Sequence, residues 1–409
     1  MLAEKYGTPL YLVDYGTLRE NCRRYKEYSQ KYFGGGCRIL YASKALSYVD
    51  IYRVMKEEEM YIDTVSGGEI YTVNKAGYPM DRVYFHGNNK TDRDIEYASD
   101  IGVGCFVADN KEELDALDAY CKKTGRTQKI LLRLSPGIDA HTFKAVVTGT
   151  VDSKFGTAIA TGQAMEIVKY ALSLKNLDFA GIHCHIGSQI FETEPFCDAM
   201  KIMLGFVKEI RDETGVVVRE LNIGGGPGVQ YDENDPKIDF DVFFSGLASV
   251  YDALCKEYGI EKPTLLMEPG RSIVADAGIT LYTVGTHKTI KGYKSYVSID
   301  GGMPDNPRYA LYKSKYDFVI ANKADKEKDD TVTVAGRCCE SGDMLGEQIR
   351  LQRAERGDIL AVLVTGAYNY SMASNYNRLP RPAIVAVEGG SDRIVVKRES
   401  YEDLCRNEI

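Results

Sequence analysis

Three places in this chain carry residue types that together could do chemistry. Lys44 stands in ILYASKAL, directly behind an apolar run of strand length. A bare ammonium at the end of a buried strand is costly, so its cation must be paired or solvated, or its amine neutral or used covalently. The segment NIGGGPG (222–228) offers backbone N–H groups that can approach an anion with no Cβ in the way. EPGR (268–271) sets a carboxylate and a guanidinium on one turn behind another apolar run. A reactive lysine, a phosphate cradle and a carboxylate are the parts that hold pyridoxal phosphate. Each part also has a plainer reading: the glycines as a tight turn, and EPGR as a local ion pair.

His183 and His185 are two apart, so on a strand they face the same side. H-x-H is a metal-ligand spacing in hydrolase barrels, but that use needs further ligands, and only His86 and a few carboxylates are on offer. Stacking of one imidazole on a flat cofactor is the sharper use, and a hydrogen-bonded core histidine is the plainer one for His183. In GRCCESGD (336–343), Cys338 and Cys339 are adjacent and point to opposite faces if extended. A thiol beside Glu340 in a polar turn is a candidate for proton transfer. The aromatics of GAYNYSMASNYN (366–377) read equally as packing or as a pocket lid.

The elements that must position these residues follow a regular beat. Apolar runs at 38–43, 61–66, 83–87, 103–109, 129–135, 179–187, 220–226 and 264–270 make eight strands, several near-continuously apolar as strands covered on both faces are. Helical spacing fills most gaps, as in Phe196, Met200, Met203, Leu204, Val207 and Ile210, closing at Gly215. Eight strand–helix beats fit a (β/α)8 TIM-like barrel, with a doubly wound sheet as the alternative. In a barrel, Lys44, His86, Arg133, His185, Ser188, Gly224–Gly226, Glu268 and Arg271 all fall at the C-terminal strand ends, where active sites lie. After about 277 the strands lose their helices, which predicts a separate, mostly antiparallel β-domain. The expected division is 16–276 for the barrel and 277–409 for the β-domain, with 1–15 pairing to the latter.

Composition narrows the class. The 409 residues are 44% hydrophobic and 27% charged, with net charge −8. No basic run stands out, so a nucleic-acid partner is not expected. The start MLAEKYGTPLYLVD lacks an apolar signal core, and no stretch reaches the ~18 apolar residues of a membrane span. Ten scattered cysteines with no C-x-x-C pair suit a reducing cytoplasm.

The motifs, in order, resemble one family. YASKAL, SGGEI, HGNNK, the stretch from HTF (141–143) through TG (148–149) to SKFG (153–156), HCHIGSQI, NIGGG, EPGR, DGGM, RYALY, CCESGD and GAYNYSMASNYN run nearly end to end. The chain is similar to the diaminopimelate decarboxylases, members of the alanine-racemase-like, fold type III class of pyridoxal-phosphate enzymes. The resemblance implies that Lys44 carries the cofactor covalently and that His185 stacks on its ring. Ser188, Gly225 and Gly226 would hold the phosphate, Pro269, Gly270 and Arg271 would also bind the cofactor, and Glu268 would pair with the pyridine nitrogen. Arg271, Arg308 and Tyr312 would bind substrate carboxylate, Glu340 the distal ammonium, and Tyr368 both cofactor and substrate. Cys339 would be the proton donor, reaching with Glu340 into a neighbouring subunit's site, so a homodimer is implied. Two positions depart from the family's habit: Pro227, where an aromatic is common, and Tyr309, where a proline is common.

The implied reaction is the decarboxylation of meso-2,6-diaminoheptanedioate to L-lysine and CO2, the last step of lysine biosynthesis. Glu268 argues for decarboxylation over racemisation, because the racemases of the class carry an arginine there and so a weaker electron sink. A sister decarboxylase of ornithine, lysine or arginine, a metal-dependent barrel hydrolase and a non-catalytic homologue are the rivals.

Overall fold

The computed structural model describes residues 2–138 and 153–409. The HTF and TG motifs at 141–149 lie outside the described residues. The chain forms two compact units, one of Cys22–Gly228 with Lys237–Gly270, the other of Met1–Asn21, Val229–Pro236 and Arg271–Ile409.

In chain order the strands of the first unit are β2 (Cys37–Ala42), β3 (Tyr61–Thr64), β4 (Val83–Phe85), β5 (Cys105–Ala108), β6 (Gln128–Ser135), β7 (Thr157–Ala158), β8 (Leu177–His183), β9 (Glu220–Asn222) and β10 (Thr264–Met267); β1 (Leu10–Asp14) belongs to the second unit. Eight of them pair in parallel in the order β5-β4-β3-β2-β10-β9-β8-β6, and β5 with β6 closes the barrel, while β7 adds to β6. Residues such as Leu40, Val107, Leu131 and Leu266 are fully buried in its core. That is why the strands read as continuous apolar runs rather than alternating ones. The helices Lys111–Thr124, Glu194–Thr214 and Phe240–Tyr258 each stop at a glycine in the left-handed region: Gly125 (φ 66°), Gly215 (φ 72°) and Gly259 (φ 59°). Only glycine enters that region without strain, so these stops were readable in advance.

The second unit is built on a sheet of β1 (Leu10–Asp14), β11 (Gly278–Ile290), β12 (Lys294–Ile299), β13 (Phe318–Ile320), β14 (Asp330–Ala335), β15 (Met344–Leu351), β16 (Ile359–Val362), β17 (Ala383–Glu388) and β18 (Ser391–Val396). Most pairs are antiparallel; β1 with β17 and β12 with β14 are parallel. Tyr282, Val297, Phe318, Val334 and Leu360 form its core. Among its short helices, Arg308–Tyr312 falls between strands and Tyr401–Cys405 follows the last strand. Five residues are too few to show a helical period, so neither was legible. No helix among the described residues is long and apolar enough to cross a membrane.

Candidate active site

The C-terminal ends of the barrel strands bring together the first group of residues. Lys44 sits on the tight turn Ser43–Ala45 directly after β2. The turn after β10 is tied to that strand end, because Ala42 N–H donates to the Pro269 carbonyl at 3.1 Å. Gly270 packs there as well; a Cβ on it would come within 2.9 Å of the Ala42 Cβ. Lys44 acts electrostatically on His185 and on Asp63, the carboxylate inside β3.

Glu268 is the centre of this rim. Its Oε1 accepts from Asn222 Nδ2 at 2.5 Å and lies 2.9 Å from His86 Nε2. Its Oε2 lies 3.1 Å from His183 Nε2. A carboxylate can only accept, so His183 donates from Nε2 and leaves Nδ1, buried and without a partner among the described residues, unprotonated. Burial alone would raise the Glu268 carboxyl, but the attraction of the two imidazoles and their hydrogen bonds outweighs it and holds the group well below its usual range. Burial pushes His183 down to about 4, so the ring is neutral at pH 7. Asp63 moves the other way: burial raises it, with Glu268 adding to the rise. The result is one buried anion held by the Asn222 amide and two imidazoles, of which His183 is neutral.

His183, His86 and Glu268 are the one trio among the described residues whose donor atoms lie within 4.8 Å of one another. His185 stands outside the trio, so the H-x-H pair does not converge on a common point. His185 instead accepts from Gly225 N–H at 3.3 Å. Burial, with the charges of Lys44 and Arg133, drives its imidazole well below the usual value, which leaves a flat neutral ring. The glycine run leaves no room for side chains: a Cβ on Gly225 would meet the Glu268 carbonyl at 2.1 Å, and one on Gly226 (φ 131°) the Gly187 carbonyl at 2.8 Å. Ser188, half-buried, follows β8 two residues after Ile186. A flat neutral ring, a backbone cradle and a buried anion fit the cofactor's ring, phosphate and ring nitrogen in turn.

The second group lies in the β-rich unit. Tyr368, in the left-handed region (φ 63°), has the Arg271 guanidinium 4.8 Å and the Arg308 guanidinium 5.1 Å from its ring centroid. Arg308 also lies 5.0 Å from the centre of Tyr312. Both arginines are buried, and Nε of Arg308 has no partner among the described residues. Cys339 and Glu340 stand exposed on the turn after β14, with the Cys339 N–H donating to Asn377 Oδ1 at 2.8 Å.

The sequence reading missed Asn222 and Asp63 and gave His86 no role. Asn222 is the last residue of β9, two residues ahead of Gly224, and Asp63 is a lone carboxylate in a buried strand. A polar residue in either place was a signal, since burial must be matched by a partner.

Residues 16–275 match the family model for the pyridoxal-binding domain of the pyridoxal-dependent decarboxylases. Over its whole length the chain is 45% identical to diaminopimelate decarboxylase of Bacillus subtilis, covering 93% of that protein. The diaminopimelate decarboxylase of M. jannaschii in complex with L-lysine superposes with a TM-score of 0.90 at 33% identity, over all of this chain and 93% of that one. That of Helicobacter pylori, also with L-lysine, gives 0.91 at 32%, over all of this chain and 98% of that one. The chain therefore belongs to the diaminopimelate decarboxylase family of pyridoxal-dependent decarboxylases.

Proposed function

We infer that this protein removes CO2 from the D centre of meso-2,6-diaminoheptanedioate to give L-lysine, the last step of lysine biosynthesis, and that it does so in the cytoplasm. The observation that carries the substrate choice is the guanidinium pair flanking Tyr368. A diamine-type amino acid offers only an ammonium at its far end. Diaminoheptanedioate offers a carboxylate there as well, and paired guanidiniums suit it. The L-lysine bound in two solved relatives is the product expected here.

When bound, pyridoxal phosphate supplies the electron sink for the bond to the departing carboxylate. Lys44 would anchor it, His185 would stack on its ring, and Ser188 with the Gly225 and Gly226 backbone would hold its phosphate. Glu268, kept anionic by Asn222, His86 and His183, would hold a proton at the ring nitrogen. Arg271, Arg308 and Tyr312 would grip the substrate's far carboxylate, Glu340 its ammonium, and Tyr368 would touch both cofactor and substrate. Cys339 would deliver the proton that replaces CO2. Its exposure in the single chain supports a homodimer, because a proton donor to a carbanion needs cover from water that a second copy would supply.

The test is CO2 release from diaminopimelate, lysine, ornithine and arginine by the purified holoenzyme. Diaminopimelate should be preferred by on the order of 10²-fold or more, as for a site whose polar groups go unpaired with the wrong ligand. Activity on ornithine alone, or none on diaminopimelate with cofactor bound, overturns the reading.

A further inference from the structure

Residues Val229–Pro236 follow the glycine run of the barrel, yet they pack with the β-rich unit. They carry Tyr231 into it. Tyr231 is 8% exposed, and its hydroxyl accepts from Arg271 Nη1 at 2.6 Å. The Arg271 guanidinium also lies 5.7 Å from the Tyr231 ring centre. The ring of Tyr231 meets Tyr316 edge-on, centroids 5.4 Å apart at 88°. The Tyr316 hydroxyl in turn accepts from Asn369 Nδ2 at 3.0 Å. Asn369, fully buried, is the neighbour of Tyr368, and its Nδ2 also reaches the Thr365 carbonyl at 3.4 Å.

Two physical points give this chain of contacts a purpose. A tyrosine in the left-handed region is strained, so its surroundings must hold it there. A phenol oxygen fixes a guanidinium without cancelling its charge, which a carboxylate partner would do. Tyr231 therefore orients Arg271 without itself cancelling its charge. Through Tyr316 and Asn369 it shares one frame with Tyr368, the ring that spaces Arg271 from Arg308.

We propose that Tyr231 is a positioning residue for substrate selection: its hydroxyl sets Arg271 against Tyr368, so that a carboxylate on the ligand is distinguished from its absence. This rests on the proposed function. Tyr231 also belongs to the apolar core of its unit, so a purely structural role is the competing account. Tyr231→Phe separates the two, since it keeps the ring against Tyr316 and removes only the oxygen.

In the holoenzyme, Tyr231→Phe should raise the KM for diaminopimelate and the inhibition constant of L-lysine about tenfold, the effect expected for a lost hydrogen bond to a charged group. The inhibition constant of pentane-1,5-diamine, which has no carboxylate, should change by less than about twofold, as should pyridoxal phosphate affinity measured by absorbance. Equal weakening of both ligands, or no weakening of either, overturns the proposal. Should the variant not fold, Tyr316→Phe reads the same frame one residue further back, with a smaller loss confined to the carboxylate ligands; a loss that ignores the carboxylate overturns it equally. A wild-type enzyme inactive on diaminopimelate would instead sink the proposed function, so the two failures are told apart.

Discussion

The two ends of the barrel each hold a buried carboxylate, and they treat it in opposite ways. At the N-terminal end, Glu220 Oε1 pairs with Arg38 at 2.8 Å and Lys129 at 3.1 Å, while Oε2 accepts from Tyr84 at 3.0 Å. Two cations meet one anion, so its negative charge is cancelled. At the C-terminal end, Glu268 is held by an amide and by imidazoles, of which His183 is kept neutral by burial. Its negative charge is fixed in position and left uncancelled by any arginine or lysine in direct contact among the described residues. Arginine and lysine on the carboxylate close one barrel end, and an amide with imidazoles on the carboxylate makes a site of the other. This fits the general division of such barrels into a stability face and a catalytic face.

The contrast can be broken most sharply at Glu268. Glu268→Gln should lower kcat by about 10²–10³, the loss typical of removing one preorganised electrostatic partner. CO2 release measured with cofactor saturating would show it, and a loss under threefold would mean the anion is not used.

Acid should expose the neutral donor next. His183 titrates near 4 in the folded protein against 6.5 for a free histidine, because burial disfavours its charged form. As pH falls, the unfolded chain takes its proton first. The stability that neutral His183 provides is therefore complete above pH 6.5 and drains away between 6.5 and about 4. His183→Gln keeps a donor for Glu268 but cannot titrate. Its unfolding free energy should fall less steeply across that window, by up to about 3 kcal/mol at the acid end. Denaturant melts at three pH values would give the two slopes, and parallel slopes would rule the effect out.

The smallest effect on rate belongs to the other end. Glu220→Gln should leave kcat within about twofold while lowering stability by about 1–3 kcal/mol, reduced from a fully buried pair because Arg38 and Lys129 remain 37% and 27% exposed. A rate loss rivalling that of Glu268→Gln would erase the distinction between the two ends.

Much of this was legible in the chain. The eight apolar beats, the glycine stops and the position of Lys44 behind a strand are local signals, and local geometry obeyed them. The residues around Glu268 were less legible. His86, His183 and Asn222 come from the ends of three different strands, and nothing in their own neighbourhoods says that they meet one carboxylate. Tyr231 was invisible for the same reason: its partner Arg271 lies 40 residues away.

By itself the sequence determined the repeating strands, their buried character and the residue types at their ends. Periodicity and turn chemistry act over a few residues, and the chain carries that information at every point. Only the tertiary structure decided which charges are cancelled and which stay available. Glu220 and Glu268 look alike as glutamates at the ends of short apolar strands. What separates them is whether closing the barrel brings arginine and lysine or an amide and imidazoles to their oxygens, and that depends on residues far apart in sequence.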